Sequence, residues 1–172
     1  MKIKMRNGVT TIFVLAVALL VTSVSTAQNF PDRDAKEVSS YMLSEAALAK
    51  YSRAAANLQP LMKSIAQSCE GDESAGSLNA IAARMDAVAG VRAAIQSAGM
   101  TTREYLVFSF SVFQNGLAAW AMSQPGGKLP PGVQLANVNF YRAHEAAFKK
   151  LGEKSKAANC NAGVEKDDES DR

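Results

Sequence analysis

The sequence is short of the residues with which most enzymes do chemistry. His144 is its only histidine, and its only two cysteines, Cys69 and Cys160, lie far apart in the chain. It contains no nucleophile elbow, no zinc-protease helix motif and no carboxylate pair in a clear catalytic context. We therefore predict no catalytic residues and expect a non-enzymatic binding or interaction protein.

Strand patterns are also missing. Residues 106–112 alternate in hydropathy for a short stretch, but a capping box at Thr101 and Glu104 starts a helix just before them. Apolar residues recur at helical spacing over 33–68, 77–98, 101–122 and 137–158. We expect Ser77 and Asn137 to cap the second and the last of these helices, and Gly99 to end the second. We predict an all-α four-helix bundle, with the first helix kinked or split near Pro60 because proline removes a backbone hydrogen bond.

The first 27 residues have the parts of a secretory signal peptide. Three basic residues open the chain, an apolar run covers 12–21, and small residues at 25–27 suit cleavage before Gln28. The run is shorter than the roughly 20 residues that span a bilayer. We predict a periplasmic or secreted protein without a stable membrane anchor after cleavage, with a helical domain at 28–162 and a disordered acidic tail at 163–172.

That signal peptide also accounts for the apparent basicity of the chain. The sequence has 19 Lys and Arg against 16 Asp and Glu, and Lys2, Lys4 and Arg6 make up the difference. Nucleic-acid-binding domains normally carry a basic face on the folded part. We therefore predict no nucleic-acid partner.

Cys69 and Cys160 follow the predicted ends of the first and last helices. An even cysteine count in an oxidising compartment favours a disulfide between them. Zinc binding is less favoured, because a zinc site needs three or four ligands and His144 is the only imidazole.

His144 lies on the apolar stripe of the last helix, and two interpretations remain open. It is either a partly buried histidine bonded to a nearby Ser, Glu or Tyr, or a haem ligand opposite a methionine. The methionine candidates are Met42, Met62, Met85, Met100 and Met122. The second arrangement resembles, in architecture and ligand type, the exported four-helix b-type cytochromes, although the chain has no C-x-x-C-H motif for covalent attachment.

The third helix is apolar over a wide arc, with one stripe formed by Leu106, Phe110, Phe113, Leu117 and Trp120. Such a helix is normally central in its domain. Wherever other helices leave the arc uncovered, it would present an apolar patch for a protein partner or a small apolar ligand.

Gln114, Asn115 and Gly116 interrupt this apolar segment with two amides and a glycine. The amides either orient a ligand in a pocket or mark the one wet face of the helix, together with Ser111 and Ala118. In the second case Gly116 lets another helix approach closely. Gln114, Asn115 and His144 are the ligand-binding candidates of the sequence.

The junction at 99–105 reads Gly-Met-Thr-Thr-Arg-Glu-Tyr. It resembles a junction found in small exported bacterial helical proteins of unknown function, with glycine, an apolar residue, Thr or Ser, any residue, and then Arg-Glu-aromatic. The resemblance implies export and a helical fold, and it implies no activity or site residues.

Overall fold

The computed structural model describes residues 31–69 and 76–155, and every regular element in these two ranges is helical. The elements are α1 (Asp32–Ser40), α2 (Glu45–Leu58), a 3-10 turn (Gln59–Leu61), α3 (Met62–Cys69), α4 (Leu78–Ala87), α5 (Val91–Gln96), α6 (Thr102–Ser123), α7 (Leu135–Ala143) and α8 (Glu145–Ser155). The all-α fold is confirmed. The expected four helices are divided into eight within the described part of the chain.

Several predictions lie outside the described residues. They are the signal peptide at 1–27, the acidic tail at 163–172 and the second cysteine of the proposed disulfide, Cys160. Cys69 is the last residue of α3. The disulfide therefore stays a prediction.

The first predicted helix is divided at two places, of which one was predicted. Pro60 lies in the 3-10 turn between α2 and α3, as its missing amide hydrogen requires. The second break, between α1 and α2, contradicts the expectation of one helix from residue 33 to the region of Pro60. There Ser44 is an N-cap whose hydroxyl oxygen accepts a hydrogen bond from the Ala47 amide at 3.3 Å.

Asn137 stabilises the extended backbone between α1 and α2. Its Oδ1 accepts from the Leu43 amide at 2.9 Å, and its Nδ2 donates to the Tyr41 carbonyl at 2.7 Å. The expectation that Asn137 caps the last helix was wrong. Asn137 lies inside α7 and is 1% exposed, and the N-cap position belongs to Gln134.

The second predicted helix begins and ends as expected, but it is broken in the middle. The Ser77 hydroxyl accepts from the Ala80 amide at 3.1 Å, and Gly99 ends the segment with a φ of 83°. Between these ends, Gly90 adopts a φ of 86° and separates α4 from α5. A left-handed residue cannot continue an α-helix, and glycine adopts that conformation without steric cost.

Helix α6 is the central element, as its wide apolar arc predicts. The Thr101 hydroxyl accepts from the Glu104 amide at 3.0 Å, which confirms the predicted N-cap. The helix packs against α1, α2, α4, α5 and α7. Its fully buried Phe108 contributes to the largest core cluster, in which Tyr51 stacks on Phe108 at 4.5 Å and on Tyr105 at 4.8 Å between ring centroids.

Arg103 ties α1 and α4 to the first turn of α6. Its guanidinium donates to Asp34 Oδ1 at 2.8 Å, to Glu37 Oε1 at 3.2 Å and to Asn79 Oδ1 at 2.6 Å. Asp34 Oδ2 also accepts from the Leu78 amide at 2.7 Å, at the start of α4. Three helices that are distant in sequence therefore meet at one side chain.

The environment of Asp34 explains why this contact needs a cation. The side chain is 6% exposed, and a buried carboxylate without a partner is costly. The hydrogen bond from Arg103 holds the pKa of Asp34 below its ordinary value, assisted by the Leu78 amide and opposed by burial. Asp34 is therefore charged in the folded protein at neutral pH.

Candidate functional site

Three large apolar side chains on the C-terminal half of α6 face solvent. Phe113, Leu117 and Trp120 are 65%, 53% and 66% exposed. Their spacing of four and then three residues places them within about 60° of arc on the helix surface. We call this surface, defined by these three residues, the α6 face.

The N-terminal half of the same stripe is covered. Leu106 is 7% exposed and clusters with Val38 of α1 and with Leu78 and Ala82 of α4. Phe110 is partly buried against that cluster. The predicted stripe is therefore continuous along the helix, and its cover ends between Phe110 and Phe113.

Helix α7 covers the other side of the C-terminal half of α6. Ala118 and Ala119 are buried against Val138. A Cβ added at Gly116 would lie 2.9 Å from the ring of Tyr141, so this glycine admits the neighbouring helix at close range. The predicted close approach at Gly116 is confirmed, and it holds α6 so that the α6 face points outward.

The stretch of α6 that carries the α6 face contains no charged residue. No Asp, Glu, Lys, Arg or His occurs between Glu104 and Lys128. At this end of the helix, Ser123 Oγ donates to the Trp120 carbonyl at 2.6 Å, and the Arg142 guanidinium of α7 donates to the Ala119 carbonyl at 3.3 Å. The α6 face itself therefore contributes no charge to recognition.

The two amides beside the α6 face lie in different environments. Gln114 is half-buried, whereas Asn115 is 3% exposed. The expected wet face around Ser111, Asn115 and Ala118 was wrong, since all three are buried. Tertiary packing against α1 and α7 covers this side of α6, which the local sequence does not specify.

Asn115 is held by its own helix. Its Nδ2 donates to the Ser111 carbonyl at 2.7 Å, while its Oδ1 has no hydrogen-bond partner among the described residues. The Ser111 hydroxyl donates to the Val38 carbonyl at 2.8 Å, near the end of α1. Ser111 and Asn137 thus position the chain around Tyr41, and sequence reasoning missed both roles because their partners are remote in sequence.

His144 lies at the junction of α7 and α8, and it is partly buried. Its side chain is 24% exposed, and Nε2 is 2.7 Å from Glu45 Oε1 at the start of α2. The ring lies 4.3 Å from that of Phe140 and 6.5 Å from that of Phe148, between centroids. This contact fits the interpretation of a partly buried histidine that pairs with a glutamate.

The haem interpretation would need the same nitrogen. Ligation of iron through Nε2 requires the contact with Glu45 to break. Among the candidate methionines, Met100 is 3% exposed and Met42 is 53% exposed. In the structure, His144 connects the start of α2 to the junction of α7 and α8.

Asp86, near the end of α4, contacts two neighbouring side chains. Asp86 accepts a short hydrogen bond from the Thr102 hydroxyl and pairs with Arg92 at 3.0 Å. Within the described ranges, no group of three His, Cys, Asp or Glu residues is placed to hold a metal ion. No helix in these ranges is long and apolar enough to cross a membrane.

No protein-family model matches the chain, and no curated protein and no solved structure matches it either.

Proposed function

We propose that this is an exported, non-enzymatic interaction protein that binds an apolar helix of a protein partner through the α6 face. One observation carries the proposal: Phe113, Leu117 and Trp120 are each more than half exposed on one narrow strip of a rigid helix. Contiguous apolar patches on soluble proteins commonly mark interaction sites. Tryptophan is also among the residues that dominate binding energy at protein interfaces.

The spacing of the α6 face favours a helix as the bound element. Positions 113, 117 and 120 continue the alternation of four and three residues that starts at Leu106. This alternation is the a and d pattern by which two helices pack side by side. An amphipathic helix can therefore lie along the face with its own apolar stripe.

The shape of the surface favours a protein partner over a small apolar ligand. Sites for small molecules are concave and enclose most of the ligand. Phe113 and Trp120, about two-thirds exposed, stand on the outside of a helix. A second surface must approach them to remove them from water.

Export and the disulfide belong to the same proposal. Export rests on the signal-peptide pattern that ends at Ala27, and it would place Cys69 and Cys160 in an oxidising compartment. N-terminal sequencing of the exported protein should give Gln28 as the first residue. Non-reducing peptide mapping should give a linked Cys69–Cys160 pair.

Trp120 makes the binding proposal directly testable, because it is the only tryptophan in the chain. We expect its emission to shift to shorter wavelength when a synthetic helical peptide with leucine at its a and d positions is added. Leu117→Ser should abolish the shift. Met42→Ser is the matched control, since Met42 is equally exposed but lies between α1 and α2.

Lipid vesicles and haem test the two alternatives to a helix-binding surface. An emission shift with phosphatidylcholine vesicles but not with the peptide would contradict the proposal and indicate a membrane-binding face. Failure of the peptide to shift the emission of the wild-type protein at any concentration would also contradict it. Haem titration gives the remaining alternative a direct test, because a Soret band lost in His144→Ala would favour a haem protein.

A further inference from the structure

We infer that the helix bound at the α6 face is α6 of a second copy of this chain, running antiparallel to the first. This inference rests on the proposed function and names its partner. It starts from the distribution of charge. A homodimer places each residue of an interface near the same residue of the other copy around a two-fold axis.

Self-pairing is unfavourable for a charged surface, because like charges meet across the axis. Within α6 the face carries no such cost, since residues 105–127 contain no ionisable side chain other than Tyr105, and the Arg142 guanidinium of α7 donates to the Ala119 carbonyl at 3.3 Å. Tyr105 lies in the first half of the helix, and burial raises its pKa, so it is neutral. The same neutrality offers no charge pattern by which a different, charged partner would be selected.

The cover over the N-terminal half of α6 sets the direction of the pair. Cluster residues from α1 and α4 lie over Leu106. In a parallel pair, α1 and α4 of one copy would lie next to α1 and α4 of the other copy. These helices would keep the two exposed halves of α6 apart. In an antiparallel pair with the two-fold axis near Leu117, the exposed half of each α6 lies against the exposed half of the other. The covered halves then point away from each other, and Phe113 approaches Trp120 of the second copy.

The size of the face predicts a weak, reversible dimer. With two aromatic residues about two-thirds exposed and one leucine about half exposed, the face offers roughly 300–400 Å² per copy. A standard stable interface buries about 800 Å² per partner. Association should therefore depend on concentration, with monomer and dimer exchanging rapidly.

Sedimentation velocity on the processed chain, combined with a charge-pair design at Leu117, tests the identity of the partner. We expect the wild-type sedimentation coefficient to rise with concentration, together with a shift of Trp120 emission to shorter wavelength. Leu117→Glu and Leu117→Lys should each raise the dimer dissociation constant about tenfold or more. An equimolar mixture of the two variants should recover association, because the opposite charges then meet at the axis.

Met42→Glu and Met42→Lys are the matched controls and should associate as the wild type does. A monomeric wild-type protein whose Trp120 emission still responds to the helical peptide with leucine at its a and d positions would overturn the dimer and leave the proposed function intact. A wild-type protein that neither associates nor responds to the peptide would overturn both. Association unchanged in the Leu117 variants, or absent from their mixture, would also overturn the α6 pair.

Discussion

The two halves of α6 share one apolar stripe but differ in how much of it other helices cover. In the N-terminal half, Leu106 is buried beneath α1 and α4, whereas in the C-terminal half Leu117 is 53% exposed. The reason lies in α1, which ends at Ser40, after which the chain turns to meet Asn137 of α7. The same residue type at equivalent positions is core or surface according to where a neighbouring helix ends.

The largest expected effect comes from truncating the covered leucine. Leu106→Ala should lower the free energy of unfolding by about 3 kcal/mol, because it removes buried apolar contacts and leaves a cavity. Leu117→Ala should lower it by less than about 1 kcal/mol, because half of that side chain already faces water. Chemical denaturation of the two variants measures the difference, and equal losses would show that both halves of the stripe are buried.

Near the covered half of α6, a buried and an exposed ion pair should also differ in their contributions to stability. Arg103→Met leaves the buried Asp34 carboxylate without its cation and should cost about 2–3 kcal/mol. Arg92→Met is the matched control, since Arg92 is 61% exposed in its pair with Asp86. That variant should lose about 0–1 kcal/mol. Thermal unfolding compares them, and a loss at Arg92 as large as that at Arg103 would refute a special role for the α1 contact.

Two buried asparagines near the α6 face should contribute differently to the stability of the fold. Asn137→Leu removes the partners of the Leu43 amide and the Tyr41 carbonyl and should cost about 2 kcal/mol. Asn115→Leu should change the stability by less than about 1 kcal/mol, because Asn115 Oδ1 has no partner among the described residues and its Nδ2 serves only its own helix. A large destabilisation by Asn115→Leu would instead indicate that Asn115 binds something essential to the fold.

The smallest effect is the pH dependence that Asp34 gives to the covered half. Because its folded pKa is lowered, its stabilising contribution is complete above the unfolded value of about 3.9 and is lost as the pH falls through the lowered value. Below about pH 4, the wild type should therefore lose stability more steeply than Asp34→Asn. Parallel acid-unfolding curves for the two proteins would contradict the role of Asp34.

Local chemistry explains which parts of the fold were predictable. Ser77 and Thr101 cap helices, Pro60 breaks one and Gly99 ends one, and each acts through bonds within a few residues. The Ser44 cap is equally local, but the extended backbone before it was not predictable in the same way. The backbone before it is held by Asn137, whose Oδ1 bonds an amide 94 positions away in the chain.

The candidate site was predictable as a stripe but not as a surface. Helical periodicity places Phe113, Leu117 and Trp120 together, and the sequence alone leaves open whether another helix covers them. Arg103 shows the same limit. Its place in the capping-box junction identifies a helix start, but its contacts with Asp34 and Glu37 on α1 depend on the tertiary fold.

The attachment of α1 fixes an order of events for a chain that emerges with its N-terminus first. Asp34 finds its cation 69 positions later in the chain, and the apolar surface beneath Val38 includes Leu106 and Val107. The first helix emerges early and must wait for more than half of the chain before it can dock on α6. Until Arg103 has emerged, α1 has no native tertiary partner on α6, and its native contacts are with α4, where Asp34 accepts from the Leu78 amide.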